Sequence, residues 1–141
     1  MTEGPPRRLL ALDFGERRTG VAATDWTGSI VVPLPRIEAK DDPTRARAVA
    51  ALAAERESEL IVIGLPVHAD GGEGERARRS RQFAAVLANL TAVPIEFVDE
   101  SNSTDEAHDR LKEFGLRAAR RKQAADSVAA VVILERYLQR R

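Results

Sequence analysis

Residues 8–13 read Arg8-Leu9-Leu10-Ala11-Leu12-Asp13, an apolar run that ends on a carboxylate. A short apolar run bounded by a turn is a strand signature. The turn that follows, Phe14 to Arg18, contains Gly15. Beyond it, Thr19 to Thr24 is small and β-branched and predicts a second strand. Asp25 to Ser29, with Gly28, is the next turn. Ile30 to Leu34 is a third short strand, which Pro33 and Pro35 are expected to close. Turns this short predict an antiparallel meander, because parallel pairing needs a long crossover.

Further along, the period changes. Pro43 to Glu57 is alanine-rich, with Ala46, Val49, Ala50 and Ala53 at helical spacing. Leu60 to Ile63 is a continuous apolar strand, and Gly64 to Gly74 is a loop holding four glycines and a proline. Glu75 to Leu90 is helical, with Ala77, Phe83, Ala84 and Leu87 on one face. Pro94 to Val98 is a fifth strand. Ser103, with Glu106 three residues later, forms a capping box that starts a helix. Phe114 to Lys122 is expected to be a flexible basic loop. The last helix runs from about Gln123 to Gln139, buried along Val128 to Leu134.

This order, β-β-β-α-β-α-β-α-α, makes the first, fourth and fifth strands parallel neighbours. The expected class is α/β: a five-stranded mixed sheet, an antiparallel meander plus parallel strands, flanked by helices in one domain spanning residues 1–141. With 43% hydrophobic residues, the chain can bury a core without a staple. It has no cysteine, which excludes disulfides, zinc–thiolate sites and a cysteine nucleophile, and which fits the cytoplasm. No apolar run approaches the roughly 18–20 residues a membrane span needs, and residues 1–8 hold no apolar signal core.

Sheets of this kind place their sites at the carboxyl ends of parallel strands. The first strand ends at Asp13 and the fifth at Asp99-Glu100, so Asp13 and Glu100 converge from distant parts of the chain. Adjacent carboxylates repel unless a cation joins them, and oxygen-only ligands suit magnesium or manganese. Asp126 lies near the start of the last helix. Alone it suits a first helical turn; with Asp13 and Glu100 it completes a cluster of the two-metal nuclease type. Asp25 and Asp99 are further metal neighbours, or simply turn and strand-end residues. Gly15 and Gly20 flank the turn after Asp13, where glycines let backbone amides approach a phosphate but usually mean only a tight turn, and Gly15 and Gly64 are the expected points of phosphate approach. His68 and His108 have no partner at metal-ligand spacing. Net charge is zero, but Arg17, Arg18, Arg117, Arg120, Arg121 and Lys122 form local basic clusters suited to nucleic-acid phosphates.

With these residues placed, the chain resembles the YqgF/RuvX family, named for pre-16S rRNA processing and for Holliday junction resolution. The resemblance runs from Leu9 to Leu138. It is carried by Leu10-Ala11-Leu12-Asp13-Phe14-Gly15 with Arg18-Thr19-Gly20-Val21-Ala22, by Ile63-Gly64-Leu65-Pro66 with Asp70-Gly71, by Val98-Asp99-Glu100, and by Ala125-Asp126-Ser127-Val128-Ala129-Ala130. It implies a ribonuclease H-like fold, an acidic metal-binding triad at Asp13, Glu100 and Asp126, and a metal-dependent nuclease activity. One segment departs from the family pattern. Ser101-Asn102-Ser103-Thr104 stands where the family carries arginine, an apolar residue and two threonines, so a positive charge beside the metals is missing.

Two other functions fit parts of the chain. Asp13-x-Gly15 followed by Gly20 is similar to the first phosphate loop of actin- and sugar-kinase-like ATPases, but those close two related domains around a nucleotide. A nucleic-acid- or protein-binding module without cleavage would also suit the Ser101 segment. A homodimer would match a two-fold symmetric substrate, of which one such domain covers half.

Overall fold

The computed structural model describes residues 6–66, 74–99 and 118–140, with side chains of the last segment described from Ser127 onward. Along the chain these form β1 (Leu9–Asp13), β2 (Arg18–Thr24), β3 (Val31–Glu38), α1 (Asp42–Glu55), β4 (Leu60–Leu65), α2 (Glu75–Ala88), β5 (Ile95–Asp99) and α3 (Ala118–Arg140). The sheet order is β3-β2-β1-β4-β5. β1 pairs antiparallel with β2, and β2 with β3; β1 pairs parallel with β4, and β4 with β5. The expected meander and parallel half are both present.

Alternation along β1 builds a core on each face of the sheet. Leu10 and Leu12 point to the side covered by α1 and α2, where they join Val49, Ile61, Ile63, Phe83 and Leu87. Leu9 and Ala11 point to the other side, where α3 supplies Ile133, Leu134 and Tyr137. With both faces covered, β1 and β4 are buried almost throughout, which is why they read as unbroken apolar runs.

Three expectations on element bounds are corrected. β3 does not close at Pro33 and Pro35 but continues through them to Glu38. It is an edge strand, so a proline that cannot donate costs no ladder bond on the side away from β2. The β2–β3 register also shifts between Thr19 and Val21, a bulge opposite Gly20. β4 runs to Leu65, so Gly64 is a buried strand residue paired with Val98 and not the start of a loop. Finally, Ala118 to Lys122 is helix, not flexible loop. Ala118-Ala119-Arg120-Arg121-Lys122-Gln123-Ala124-Ala125 consists of strong helix formers with no breaker, so α3 continues back through the basic run. Asp126 therefore lies in the third turn of α3, not the first. The helix expected from Ser103, and His68 and His108, lie outside the described residues.

Candidate nucleic-acid cleavage site

Asp13 is the last residue of β1, half-buried and in register with Gly20 on β2. On its other side lie β4 and then β5, which ends at Asp99, paired with Leu65. Asp13 and Asp99 are thus two strands apart, roughly 10 Å at ordinary strand spacing. Glu100 itself lies outside the described residues, one position beyond Asp99. Asp99 is exposed, and its carbonyl oxygen accepts from Arg136 Nη1 of α3 at 3.0 Å.

α3 approaches from the other face. Ser127 Oγ donates to the Leu34 carbonyl oxygen at 2.7 Å and accepts from the Val21 amide at 3.4 Å. Val21 follows Gly20, the partner of Asp13. Ser127 therefore fixes the backbone beside Asp126 over the β2 residues that flank the end of β1. Arg120, Arg121 and Lys122 occupy the first two turns of the same helix, and position 122 stands one turn before 126. Arg117 lies outside the described residues.

The β1–β2 turn is tight. A Cβ on Gly15 would overlap the Arg18 carbonyl oxygen, so only glycine fits. Buried Thr19 donates its hydroxyl to the Gly15 carbonyl at 3.4 Å. Behind the turn is Arg45, a fully buried arginine on α1. Its Nη1 binds Asp42 Oδ1 at 2.7 Å. Its Nη2 donates to the carbonyl oxygens of Glu16 and of Ala39, the latter at 2.9 Å. Arg79 of α2 reaches the same group, 3.3 Å from Asp42 and 3.4 Å from Glu16. The first cause holding the Arg79 guanidinium above its ordinary pKa is its hydrogen bond to Asp42. A cavity of about 320 Å³ opens beside this network, between Gly15 and Pro66, with Arg76 and Arg79 on its α2 wall.

Arg17 and Arg18 lie exposed on the β1–β2 turn and the first position of β2. Asp25 does not join the site. It lies past Thr24, and Leu10 pairs with Ala23 while Asp13 pairs with Gly20, so Asp25 is at the opposite end of the sheet. There its carboxylate accepts from Thr27 Oγ1 at 2.6 Å and from the amides of Thr27 and Ile30, both at 3.2 Å. Of the two readings of Asp25, turn residue is the correct one. Arg45 and Arg79 escaped the sequence reading. Each sits in an Ala- and Arg-rich helical segment where an arginine ordinarily faces solvent, and no local pattern marks the two carbonyls that Arg45 binds.

The family model described as "RuvX: Holliday junction resolvase" matches residues 7–140. A Synechococcus sp. protein named "Putative pre-16S rRNA nuclease" is 40% identical over 95% of this chain and 90% of its own length. A protein of the same name from Anaeromyxobacter sp. is 40% identical over 95% of this chain and 98% of its own. Among solved structures, T. thermophilus RuvC in complex with Holliday junction substrate superposes with a TM-score of 0.58 at 13% identity, covering 94% of this chain and 95% of that one. The Fowlpox virus resolvase, solved with Holliday junction DNA, gives 0.58 at 10% identity over 94% of this chain and 97% of that one. The two structural likenesses establish the ribonuclease H-like resolvase fold, and the family match together with the relatives' identity over nearly the whole length establishes that this chain belongs to the RuvX family.

Proposed function

We propose that this chain is a divalent-metal-dependent nuclease that hydrolyses phosphodiester bonds in pre-16S rRNA, in branched DNA of the Holliday-junction type, or in both. The observation that carries the reading is the meeting of three chain segments at one end of the sheet: Asp13 at the end of β1, Asp99 leading into Glu100, and the turn of α3 that Ser127 pins beside Asp126. Asp13, Glu100 and Asp126 are the ligands we assign to magnesium or manganese. The donor set is carboxylate oxygen throughout, which would suit a hard cation. When bound, such a cation would supply an activated water and a counter-charge for the departing 3′ oxygen. The protein's own part is to hold carboxylates at strand ends and on α3 and to seat the substrate backbone. We assign phosphate contacts to Arg17, Arg18, Arg117, Arg120, Arg121 and Lys122, and to backbone near Gly15 and Gly64. Two copies would serve a two-fold symmetric junction. We place the activity in the cytoplasm.

A second reading, a nucleic-acid-binding module without cleavage, is favoured by Ser101, which stands where the family pattern has arginine. Cleavage of labelled pre-16S rRNA fragments, four-way DNA junctions and single strands, with magnesium, manganese or chelator, separates the two. The nuclease reading expects cleavage of at least one substrate that chelator abolishes. It also expects Asp13→Asn to lower the rate roughly a hundred- to a thousandfold, the worth of several kcal/mol of transition-state stabilisation. Binding without cleavage under every condition would establish the module instead.

A further inference from the structure

Arg45 also shapes the surface above it. Because its Nη2 binds the carbonyl oxygens of both Glu16 and Ala39, it ties the β1–β2 turn to the bend between β3 and α1. The Ala39 amide donates to the Arg17 carbonyl at 3.0 Å and closes the junction. The next residues along, Arg17 and Lys40, are exposed and line one open depression of about 650 Å³ with Arg18, Glu38 and Ala39.

The charges there do not balance. Glu38 is shared between Arg18 at 3.7 Å and Arg36 at 3.4 Å. Asp41, beside Lys40, turns its carboxylate onto the Thr44 amide at 2.7 Å as the N-cap of α1. Among the described residues, no acid pairs with the Arg17 or Lys40 side chain. The buried clamp fixes the backbone next to Arg17 and Lys40, so their two cationic side chains rise from one depression, and like charges there favour an anion between them. The depression is broad and open, which suits a polyanion lying across it better than one enclosed phosphate.

We propose that this depression seats the phosphodiester backbone of the nucleic-acid substrate on the β3 side of Asp13, with Lys40 as a positioning residue together with Arg17. The proposal rests on the nuclease reading above. Lys40 follows β3, two strands from β1, so its backbone is roughly 10–15 Å from Asp13. That distance corresponds to about three or four stacked nucleotides. The contact therefore lies away from the scissile phosphate and acts on binding and register.

The test measures affinity against salt concentration, with kcat at saturating substrate, for wild type, Arg17→Ala/Lys40→Ala and Lys40→Glu. Arg8→Ala, at the opposite end of the sheet, is the control. The expected result is a slope of log affinity against log salt flatter by about 1.4–1.8 in the double variant, 0.7–0.9 for each phosphate released. Affinity at 0.1 M salt should fall about tenfold or more. Lys40→Glu should bind more weakly than wild type, the thermal midpoint should be kept in both variants, and Arg8→Ala should behave as wild type in affinity, slope and kcat. Unchanged affinity and slope in a wild type that cleaves would overturn the depression as a backbone seat and leave the nuclease reading intact. Loss of kcat in equal measure would also overturn it, since a remote contact has no part in the chemical step. A wild type that neither binds nor cleaves any nucleic acid would overturn the nuclease reading and this proposal with it.

Discussion

The guanidinium carbon of Arg45 lies 5.0 Å from the centroid of the Phe14 ring, in a site closed to solvent. Phe83 stacks on Phe14 with centroids 5.2 Å apart, and the same guanidinium is 5.7 Å from its ring. Arg79 also lies over Phe14, at 5.5 Å. A charge this deep is tolerated because aromatic faces, two carbonyls and the Asp42 carboxylate replace its water. Phe14 follows Asp13 directly, so the packing that stabilises the arginine also fixes the end of β1.

Arg45→Met should therefore be strongly destabilising, by about 3–5 kcal/mol, the usual cost of breaking a buried, hydrogen-bonded charge pair. Urea unfolding measures it. Arg45→Lys should recover little, because one ammonium cannot reach three separated acceptors as the planar fork does. A loss below about 1 kcal/mol for the methionine variant, the range of an exposed pair, would mean that Asp42 and Arg79 carry the junction alone.

Magnesium or manganese should raise the melting temperature by several degrees. A cation that binds only the folded chain stabilises it by mass action, about 2.7 kcal/mol at a hundred times its Kd. Differential scanning fluorimetry with and without chelator reads the shift, and Asp126→Asn should shrink it. A wild-type midpoint indifferent to millimolar metal would count against the assigned ligands.

Replacing Arg120 and Arg121 with alanine should weaken nucleic-acid binding and flatten the salt slope by about 0.7–0.9 for each phosphate no longer neutralised. Both positions are helical, and alanine is the best helix former, so the thermal midpoint should hold or rise slightly. Fluorescence anisotropy across a salt series measures the first effect. An unchanged slope would remove these two residues from the phosphate-binding surface.

The β2–β3 turn should respond to acid. The Thr27 hydroxyl, first among the causes, holds the Asp25 carboxyl below its ordinary value of 3.8. A depressed folded-state pKa contributes stability that is full above the unfolded value and is lost as pH falls through the folded one. The turn should thus stay intact at neutral pH and loosen only below about 3.8. Trp26, the single tryptophan, is exposed in this turn and reports on it by fluorescence. Asp25→Asn should abolish that acid transition; a transition that survives the substitution belongs to another group.

Most of the fold was legible because β1 up to Leu12 and β4 are unbroken apolar runs and α1 and α2 keep helical spacing, and those periods survive burial. The bounds of β3 were not, because a proline reads as a stop until the strand is known to lie at an edge. The start of α3 was hidden because Arg120-Arg121-Lys122 looks like solvated loop, although each residue favours helix. The position of Asp13, a carboxylate closing a buried strand, was legible. The position of Lys40 beside Arg17 was not, since it depends on two carbonyls joined through Arg45, a tertiary contact with no sequence period.

Pro33 and Pro35 both lie on the outermost strand, β3, Pro35 in the stretch where its register with β2 shifts, and neither can donate a backbone hydrogen bond. Prolines and a bulge on an edge strand make it a poor template for a further strand, whether from a neighbouring molecule or from a partly unfolded copy. The prolines thus guard this margin against end-to-end growth into aggregates, a hazard of any open sheet rich in valine and leucine. Replacing both with valine would leave the pleat intact and restore a row of adhesive amides.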